Sequence, residues 1–329
     1  MNINKRNHKW IIDKDDGSVV PFDPDIIEQA KNRHLATDLK HQSLPQARRQ
    51  PQQYYDQLGH LRHDKTNEEI FALTWYQIKY WLWRYSSLCI KSQKIGISTS
   101  TLMKDLQYTM LPEGAGKDVL IFSQKERLVQ DHILSIKKML RYSPTFSNYL
   151  IEGKTEYLFE EEQTKAFVVY IHNPWNYAQP SRIIGLPSSI PSALSWKRVG
   201  RVHMSDVSKL NMIEEKQDEF FAAVFSRLAI TGGVVDIETP PSGQQGYIYK
   251  LYLLLHAAIK ENIPEHFGYF EFPVQYAMDS NIITQEYLDQ QLKLFGRLEF
   301  DSKYNCKFIA PGNQYFDRKW FQTEVYNTI

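Results

Sequence analysis

The sequence is poor in cysteine, and that shortage excludes two classes of protein. The two cysteines, Cys89 and Cys306, stand far apart and show no CxxC or Cys/His ligand spacing. A disulfide framework or a zinc site would need such spacing. We therefore expect both side chains to be small buried hydrophobic groups.

An excess of charge of one sign is also missing. Lysine and arginine total 39 and aspartate and glutamate total 38, which leaves a formal net charge of +1. A protein that attracts a polyanion with its whole surface would carry a much larger charge. Any surface that binds nucleic acid is therefore expected to be a local patch.

Long apolar runs are missing as well. No run approaches the roughly 20 apolar residues that a membrane-spanning helix needs. The first ten residues, MNINKRNHKW, lack the apolar segment of a signal peptide. We expect a soluble protein of the cytoplasm without a membrane partner.

What is present is the composition of a globular protein, with 42% hydrophobic and 23% charged residues in a chain of 329. That length predicts one large domain with appendages or two smaller domains. The polar residues 1–50 indicate an N-terminal arm, and residues 51–263 indicate an α/β domain. Residues 264–329 are aromatic and weakly periodic, which favours a separate C-terminal lobe or linker.

Short apolar strands alternate with amphipathic helices along most of the chain. The pattern predicts strands over residues 87–90, 119–123, 165–171, 182–186, 201–205 and 233–237, and helices over residues 67–85, 100–111, 124–140, 214–228 and 284–295. This alternation is typical of an α/β fold with a mostly parallel sheet covered by helices. In such folds the site lies at the carboxyl ends of the strands.

The loop after the first of these strands is the most informative segment. It reads KSQKIGIST from Lys91 to Thr99 and leads into a helix. A phosphate-binding loop needs this context, because backbone N–H groups face the anion and a lysine reaches its β and γ oxygens. Ser98 or Thr99 would hold Mg²⁺. Since Ile97 occupies the lysine position of GxxxxGK[ST], an ordinary turn with a Ser/Thr helix cap remains an alternative.

A second segment, Gly114-Ala115-Gly116-Lys117, contains a literal GxGK. It precedes a predicted strand instead of opening a helix, so the amides of a helix N-terminus are not available to an anion. We interpret it as a turn.

The first loop, followed by VLIFSQKERLVQDHILSIKKML, resembles the ATPase half of the large terminase subunit of tailed double-stranded-DNA viruses. That family has a deviant phosphate loop with a lysine at its start and a glycine near its end, and Lys91 and Gly96 match these positions. Family members often carry Arg-Gln inside the loop, where this chain has Gln93 and Lys94. Whether Lys94 replaces the arginine is open. The resemblance implies a P-loop NTPase sheet of the ASCE type, with ATP and Mg²⁺ as cofactors.

Further motifs follow in the family's order, and the resemblance covers roughly residues 68–310. Gln77 stands where the family has a glutamine that reads adenine. Arg201–Asp206 resembles the second acidic motif, which implies that Asp206 holds the Mg²⁺ shell, although a turn or helix cap is the alternative for Asp206. The segment from Thr231 to Gly243 resembles the coupling motif, which implies that Thr239 senses the γ-phosphate.

Two features of the chain bear on catalysis. The family usually follows the acidic aspartate with a glutamate that orients the attacking water, and here that position is Val207. Glu238 is our candidate replacement, because it shares a strand face with Asp236, with a solvated turn residue as the alternative. In the family a basic residue of the preceding loop reaches the neighbouring subunit's nucleotide, and we assign that role to Arg198.

The resemblance implies the ATPase motor subunit of a viral terminase, which couples ATP hydrolysis to translocation of double-stranded DNA into a capsid. Its implied partners are double-stranded DNA, the portal protein, the small terminase subunit and further copies of the chain in a homo-oligomeric ring. The alternative is a hydrolysis-poor nucleotide-binding P-loop protein that acts as an assembly or DNA-binding subunit. The family's second half is an RNase H-like nuclease, and only 21 residues follow Phe308. We therefore expect the nuclease to be absent, lost by truncation, or encoded in another chain.

Overall fold

The computed structural model of the protein describes residues 11–13, 19–21, 74–142, 147–151, 156–159, 164–188, 196–210, 213–261 and 267–310. Strands β1 (Ile11–Asp13) and β2 (Val19–Pro21) form a two-stranded antiparallel sheet. The rest of the predicted N-terminal arm lies outside the described residues, and so does the part of the predicted helix over residues 67–85 that precedes residue 74.

A nine-stranded sheet forms the centre of the fold. Its strands are β3 (Ser86–Lys91), β4 (Asp118–Ser123), β5 (Leu150–Ile151), β6 (Glu156–Phe159), β7 (Thr164–Asn173), β8 (Asn176–Pro187), β9 (Val199–Ser205), β10 (Val234–Thr239) and β11 (Phe267–Phe272). The order is β11-β3-β10-β9-β4-β8-β7-β5, with β6 also paired to β7. Every pair from β11 to β8 is parallel, and the remaining pairs are antiparallel. The predicted mostly parallel sheet is confirmed.

The position of β10 identifies the type of sheet. It lies between β3 and β9, in register with Glu238 opposite Cys89 on one side and Ser205 on the other. A strand inserted between the phosphate-loop strand and the acidic-motif strand is the arrangement of ASCE P-loop proteins. The carboxyl ends of β3, β10 and β9 therefore meet at one edge of the sheet.

Helices cover both faces of the sheet. They are α1 (Trp75–Trp81), α2 (Ile97–Thr109), α3 (Glu126–Tyr142), α4 (Glu214–Thr231), α5 (Gly246–Lys260), α6 (Gln275–Asp279) and α7 (Gln285–Asn305). Strand β4 illustrates the packing, because Val119 and Ile121 join the apolar cluster under α2 and α3, whereas Leu120 and Phe122 join the cluster under α4 and α5. Among the described residues, no helix is long and apolar enough to cross a bilayer.

The C-terminal segment, predicted as a separate lobe or linker, adds a strand to the central sheet. Strand β11 pairs in parallel with β3 over its whole length and forms the edge of the same sheet. Phe270 and Phe272 pack against Tyr76 and Tyr80 of α1, in one cluster with residues of α7. Residues beyond 263 therefore pack on the α/β domain, and the domain division itself stays a prediction.

Candidate active site

The loop between β3 and α2 has the shape of a phosphate cradle. Gly96 is the N-cap of α2 and has φ of +77°, a left-handed conformation that suits glycine. Backbone hydrogen bonds fix the loop, from Ser92 N to Phe272 O and from Gln93 N to Lys303 O, both 2.9 Å. Ile97 is 1% exposed and anchors the start of the helix. The free amides of the first turn of α2 consequently face the edge where the strands end.

Two side chains of α1 support this loop from behind. The Gln77 amide nitrogen donates to Gly96 O at 3.0 Å, and its amide oxygen accepts from the Thr74 backbone nitrogen at 2.8 Å. The Tyr76 hydroxyl donates to Ile95 O at 2.8 Å. Gln77 therefore holds the loop in place in this structure, and its role in reading adenine stays a prediction.

Lys91, the last residue of β3, contacts three other side chains of the site. Its ammonium group lies 2.8 Å from Ser98 Oγ, 2.5 Å from Glu238 Oε2 and 3.2 Å from Asp206 Oδ1. Burial alone would lower the pKa of Lys91, but the two carboxylates outweigh burial and raise it. Lys91 is thus a permanent cation that joins β3, α2, β9 and β10.

Glu238 is completely buried. This finding contradicts the alternative of a solvated turn residue. Burial raises the pKa of its carboxyl, but Lys91 and His203 more than offset that effect and lower it to about 2. Ser205 Oγ also donates to Glu238 Oε1 at 2.5 Å. Glu238 is therefore an ionised carboxylate held at the carboxyl end of β10.

Asp206 lies on the open side of the same cluster. It has φ of +54° and precedes a 3₁₀ turn, Val207–Lys209, without a side-chain capping hydrogen bond, while its backbone nitrogen donates to Glu238 O at 2.9 Å. Its side chain is 40% exposed. Burial raises the pKa of Asp206, and Lys91 opposes that effect. The carboxylate of Asp206 thus contacts Lys91, and its role in holding Mg²⁺ stays a prediction.

Val207 does not face the site. It is 2% exposed and belongs to the apolar cluster under α4 and α5. A glutamate at this position would enter the core instead of approaching a nucleotide. The departure from the family pattern is therefore built into the direction of the chain after Asp206.

The other predicted ligands surround the loop. Thr239 is buried, and its hydroxyl accepts from Ser208 N at 3.0 Å, which joins the end of β10 to the turn after Asp206. Thr99 lies in the first turn of α2, and Lys94 is exposed with φ of +64°. Whether Thr239, Thr99 and Lys94 contact a nucleotide stays a prediction.

Arg198 lies at the opposite edge of the sheet. Its Nη2 is 3.5 Å from Asp118 Oδ1, and its backbone oxygen accepts from Asp118 N. Asp118 begins β4, whereas Lys91 ends β3, and these strands run in the same direction. Arg198 is consequently remote from the cluster around Lys91 in its own chain.

Sequence reasoning missed a chain of buried ionised groups behind the site. Arg201 and His203 of β9 meet Asp105 of α2, each at 2.7 Å, and Arg201 also contacts Asp236 of β10. A signal was available, because polar residues recur at every second position of apolar strands, at Arg201, His203 and Ser205 and again at Asp236 and Glu238. Arg201 is thus a buried strand residue, 3% exposed.

The donor set fits a magnesium ion. The Ser98 hydroxyl and the Asp206 carboxylate converge on the Lys91 ammonium group. Mg²⁺ prefers oxygen ligands and keeps several waters, so it needs only one or two protein groups. In the described part of the chain, no group of three or more His, Cys, Asp and Glu side chains forms a metal cluster. Ser98 and Asp206 are the residues that would hold such an ion.

The sequence matches no protein-family model and no curated protein. The structure, by contrast, is similar to solved viral proteins. The large terminase ATPase domain of Thermus phage P74-26, in a mutant form, has a TM-score of 0.51 at 13% identity, over 71% of this chain and 93% of that domain. The large terminase of bacteriophage HK97 has a TM-score of 0.51 at 10% identity, over 77% of this chain and 53% of that protein, so this chain spans about half of the HK97 protein. The chain therefore has the fold of a phage large terminase ATPase domain.

Proposed function

We propose that the chain is the ATPase motor subunit of a viral terminase, which couples ATP hydrolysis to translocation of double-stranded DNA into a capsid. One observation carries the proposal. Lys91 at the end of β3 meets Ser98 of α2 and Asp206 at the end of β9, across a loop that is fixed at the N-terminus of α2. These are the elements that bind nucleoside triphosphate and Mg²⁺ in P-loop enzymes.

The residues divide the work of binding and hydrolysis. The loop amides and the N-terminus of α2 receive the phosphates, and Lys91 reaches their outer oxygens. Mg²⁺ held by Ser98 and Asp206 would neutralise charge on the β and γ oxygens. Lys91 must move away from Glu238 to make its phosphate contact, and Glu238 then faces the terminal phosphate as the carboxylate that orients water.

The motor function requires partners beyond the nucleotide. We propose that subunits form a ring with double-stranded DNA at its centre, working with the portal protein and the small terminase subunit. With a net charge of +1, DNA contacts would come from a local basic surface. Such contacts are made to phosphates, so they should be weakly dependent on sequence and strongly dependent on salt.

A second candidate function rests on a different observation. Val207 is packed in the core, and Glu238 is completely buried among Lys91, His203 and Ser205. If Lys91 keeps its contact with Glu238 Oε2 when nucleotide binds, that carboxylate is not available to replace the usual glutamate. The chain would then be a hydrolysis-poor nucleotide-binding subunit that serves in assembly or DNA binding.

The test of nucleotide binding is the replacement of Lys91 by alanine. Lys91→Ala should abolish ATP binding measured by calorimetry in Mg²⁺, because no other cation contacts Ser98 and Asp206 in the described geometry. Lys117→Ala is the matched control, since Lys117 precedes β4 at the opposite edge of the sheet. ATP binding that depends on Lys117 and not on Lys91 would contradict the proposed phosphate site.

Hydrolysis decides between the two functions. If the chain is the motor subunit, its ATP turnover should rise when DNA and portal are added to the assembled subunits. If it is the binding subunit, it should bind ATP tightly and its turnover should stay at the same low level under those conditions.

A further inference from the structure

Behind the phosphate loop, α2 packs on β9 and β10 through charged side chains. Seven of them form a chain of alternating sign, in the order Asp236, Arg201, Asp105, His203, Glu238, Lys91 and Asp206. All except Asp206 are less than 9% exposed. Buried ions are costly unless they are paired, so each member depends on its neighbours.

His203 is the cation in the middle of this chain. Its Nδ1 lies 2.7 Å from Asp105 Oδ2 and its Nε2 lies 3.3 Å from Glu238 Oε1. Carboxylate oxygens accept hydrogen bonds, so both ring nitrogens must donate and the ring is an imidazolium. Burial lowers the pKa of His203, but Asp105 and Glu238 together raise it to about 9.

The neighbouring histidine does not share this role. His132 Nε2 lies 3.0 Å from Ser205 Oγ, which in turn donates to Glu238. Burial, reinforced by the nearby His203, lowers the pKa of His132 to about 4. His132 is therefore a neutral partner of Ser205, and His203 supplies the positive charge on that side of Glu238.

This arrangement matters when Lys91 changes partners. The three protons of its ammonium group are directed to Ser98, Glu238 and Asp206. A phosphate that draws Lys91 away leaves Glu238 buried, and removing one partner of a buried ion pair is strongly unfavourable. His203 stays in contact with Glu238 and prevents that penalty.

We propose that His203, oriented by Asp105, is a positioning residue that keeps Glu238 paired with a cation while Lys91 turns to the phosphates. The inference rests on the proposed function, because it needs a nucleotide at Lys91. It adds to that function a residue of β9 that touches neither nucleotide nor metal. His203 therefore contributes to nucleotide affinity although it does not contact the nucleotide.

A double-mutant cycle tests whether His203 acts through Glu238. The variants are His203→Gln, Glu238→Gln and the two combined, each in the full chain, and the measurement is the Kd for ATP and for ADP with Mg²⁺ by calorimetry. His203→Gln should weaken binding roughly ten- to hundredfold, as expected for the loss of a hydrogen bond to a charged group. In the Glu238→Gln background the same change should have no effect on the Kd, since residue 238 no longer carries a charge that needs a cation when Lys91 leaves, and Asp105 keeps its pair with Arg201.

Each outcome has a distinct meaning. An equal loss of affinity in both backgrounds would make His203 a structural residue and overturn the inference, as would an unchanged Kd in His203→Gln. Wild-type protein that binds neither nucleotide would overturn the proposed function, and with it the inference.

A second variant protects the test against misfolding. If His203→Gln lowers the thermal midpoint sharply, His203→Gln with Asp105→Asn replaces it, because the two amides can hydrogen-bond to each other without charge. Recovered stability with binding still weakened supports the inference. Recovery of both stability and affinity contradicts it.

Discussion

At the scale of single residues, the buried Glu238 and Val207 explain how the site departs from the motif pattern of the large terminase family that the sequence resembles. The usual glutamate position is directed into the core, and the carboxylate beside Lys91 comes from the neighbouring strand instead. Strand β10 can supply it because its end is in register with the end of β9, with Glu238 opposite Ser205. The order of the strands, as well as the sequence motif, therefore determines which carboxylate lies beside Lys91.

Glu238→Gln should strongly lower ATP hydrolysis in the assembled motor, and it should also lower stability because Lys91 and His203 lose a buried anion. The amide keeps the size of the side chain but cannot orient water as a base, and loss of a general base typically costs about 10²–10⁴-fold in rate. The measurement is phosphate release with DNA and portal present. Unchanged turnover in Glu238→Gln would favour the binding subunit.

Val207→Glu should destabilise the protein and should not raise turnover. Its carboxylate would be buried among apolar side chains, and burying a polar group without a partner costs about 2–7 kcal/mol. Chemical unfolding measures the loss, and Val207→Ile is the control of similar shape and no charge. A stable Val207→Glu protein with faster hydrolysis would show that the position faces the nucleotide after all.

At the scale of elements, the sequence pattern correctly predicted the strands that can be recognised from their own residues. The strand predicted over residues 119–123 is found as β4, because buried parallel strands are apolar on both faces. Strand β11 was missed. Its alternating burial is that of an edge strand. Its partner β3 lies far away in sequence, so the residues around β11 give no indication that the two strands pair.

The site was predictable to the same extent. The resemblance implied that Lys91 and Asp206 belong to one site, and they meet there with Glu238 because parallel strands end at one edge of the sheet. The contact between Asp105 and His203 joins a helix to a strand through the interior. Which side chains of α2 face β9 depends on how the helix rests on the sheet, and the sequence alone does not contain that angle.

The phosphate loop is an element whose shape depends on one glycine. Gly96→Ala should lower both stability and nucleotide affinity. A side chain in the left-handed conformation costs about 1–2 kcal/mol, and the added Cβ would lie within 2.4 Å of Gln77 Nε2. Gly232→Ala is the matched control, because Gly232 also has positive φ but meets nothing within 4 Å. Chemical unfolding and calorimetry with ATP compare the two variants, and equal losses in both would contradict a special role for this loop.

At the scale of the whole molecule, the two ends of the parallel strands carry different charged residues. The carboxyl edge carries Lys91 and Asp206, and the amino edge carries Arg198 beside Asp118. A cation at the amino edge cannot reach its own chain's nucleotide, so any catalytic role of Arg198 must be exerted on a neighbouring subunit. A ring in which the amino edge of one subunit faces the carboxyl edge of the next would bring the two together.

Complementation between two inactive variants tests this arrangement. Arg198→Ala should fold, because Asp118 keeps its two contacts with Arg182 at 2.8 and 2.6 Å. Asp206→Asn should also fold, since asparagine tolerates the left-handed conformation of Asp206.

Assemblies of either variant alone should lack DNA-stimulated hydrolysis, because Arg198→Ala lacks the arginine and Asp206→Asn lacks the magnesium ligand. Mixed assemblies contain interfaces at which an intact Arg198 faces an intact Asp206, so mixing should restore part of the activity. Lys197→Ala, mixed in the same way, controls for loss of charge in this loop. Mixtures that stay inactive, or Arg198→Ala assemblies that hydrolyse ATP normally, would remove Arg198 from the reaction and leave the ring without an assigned cation in trans.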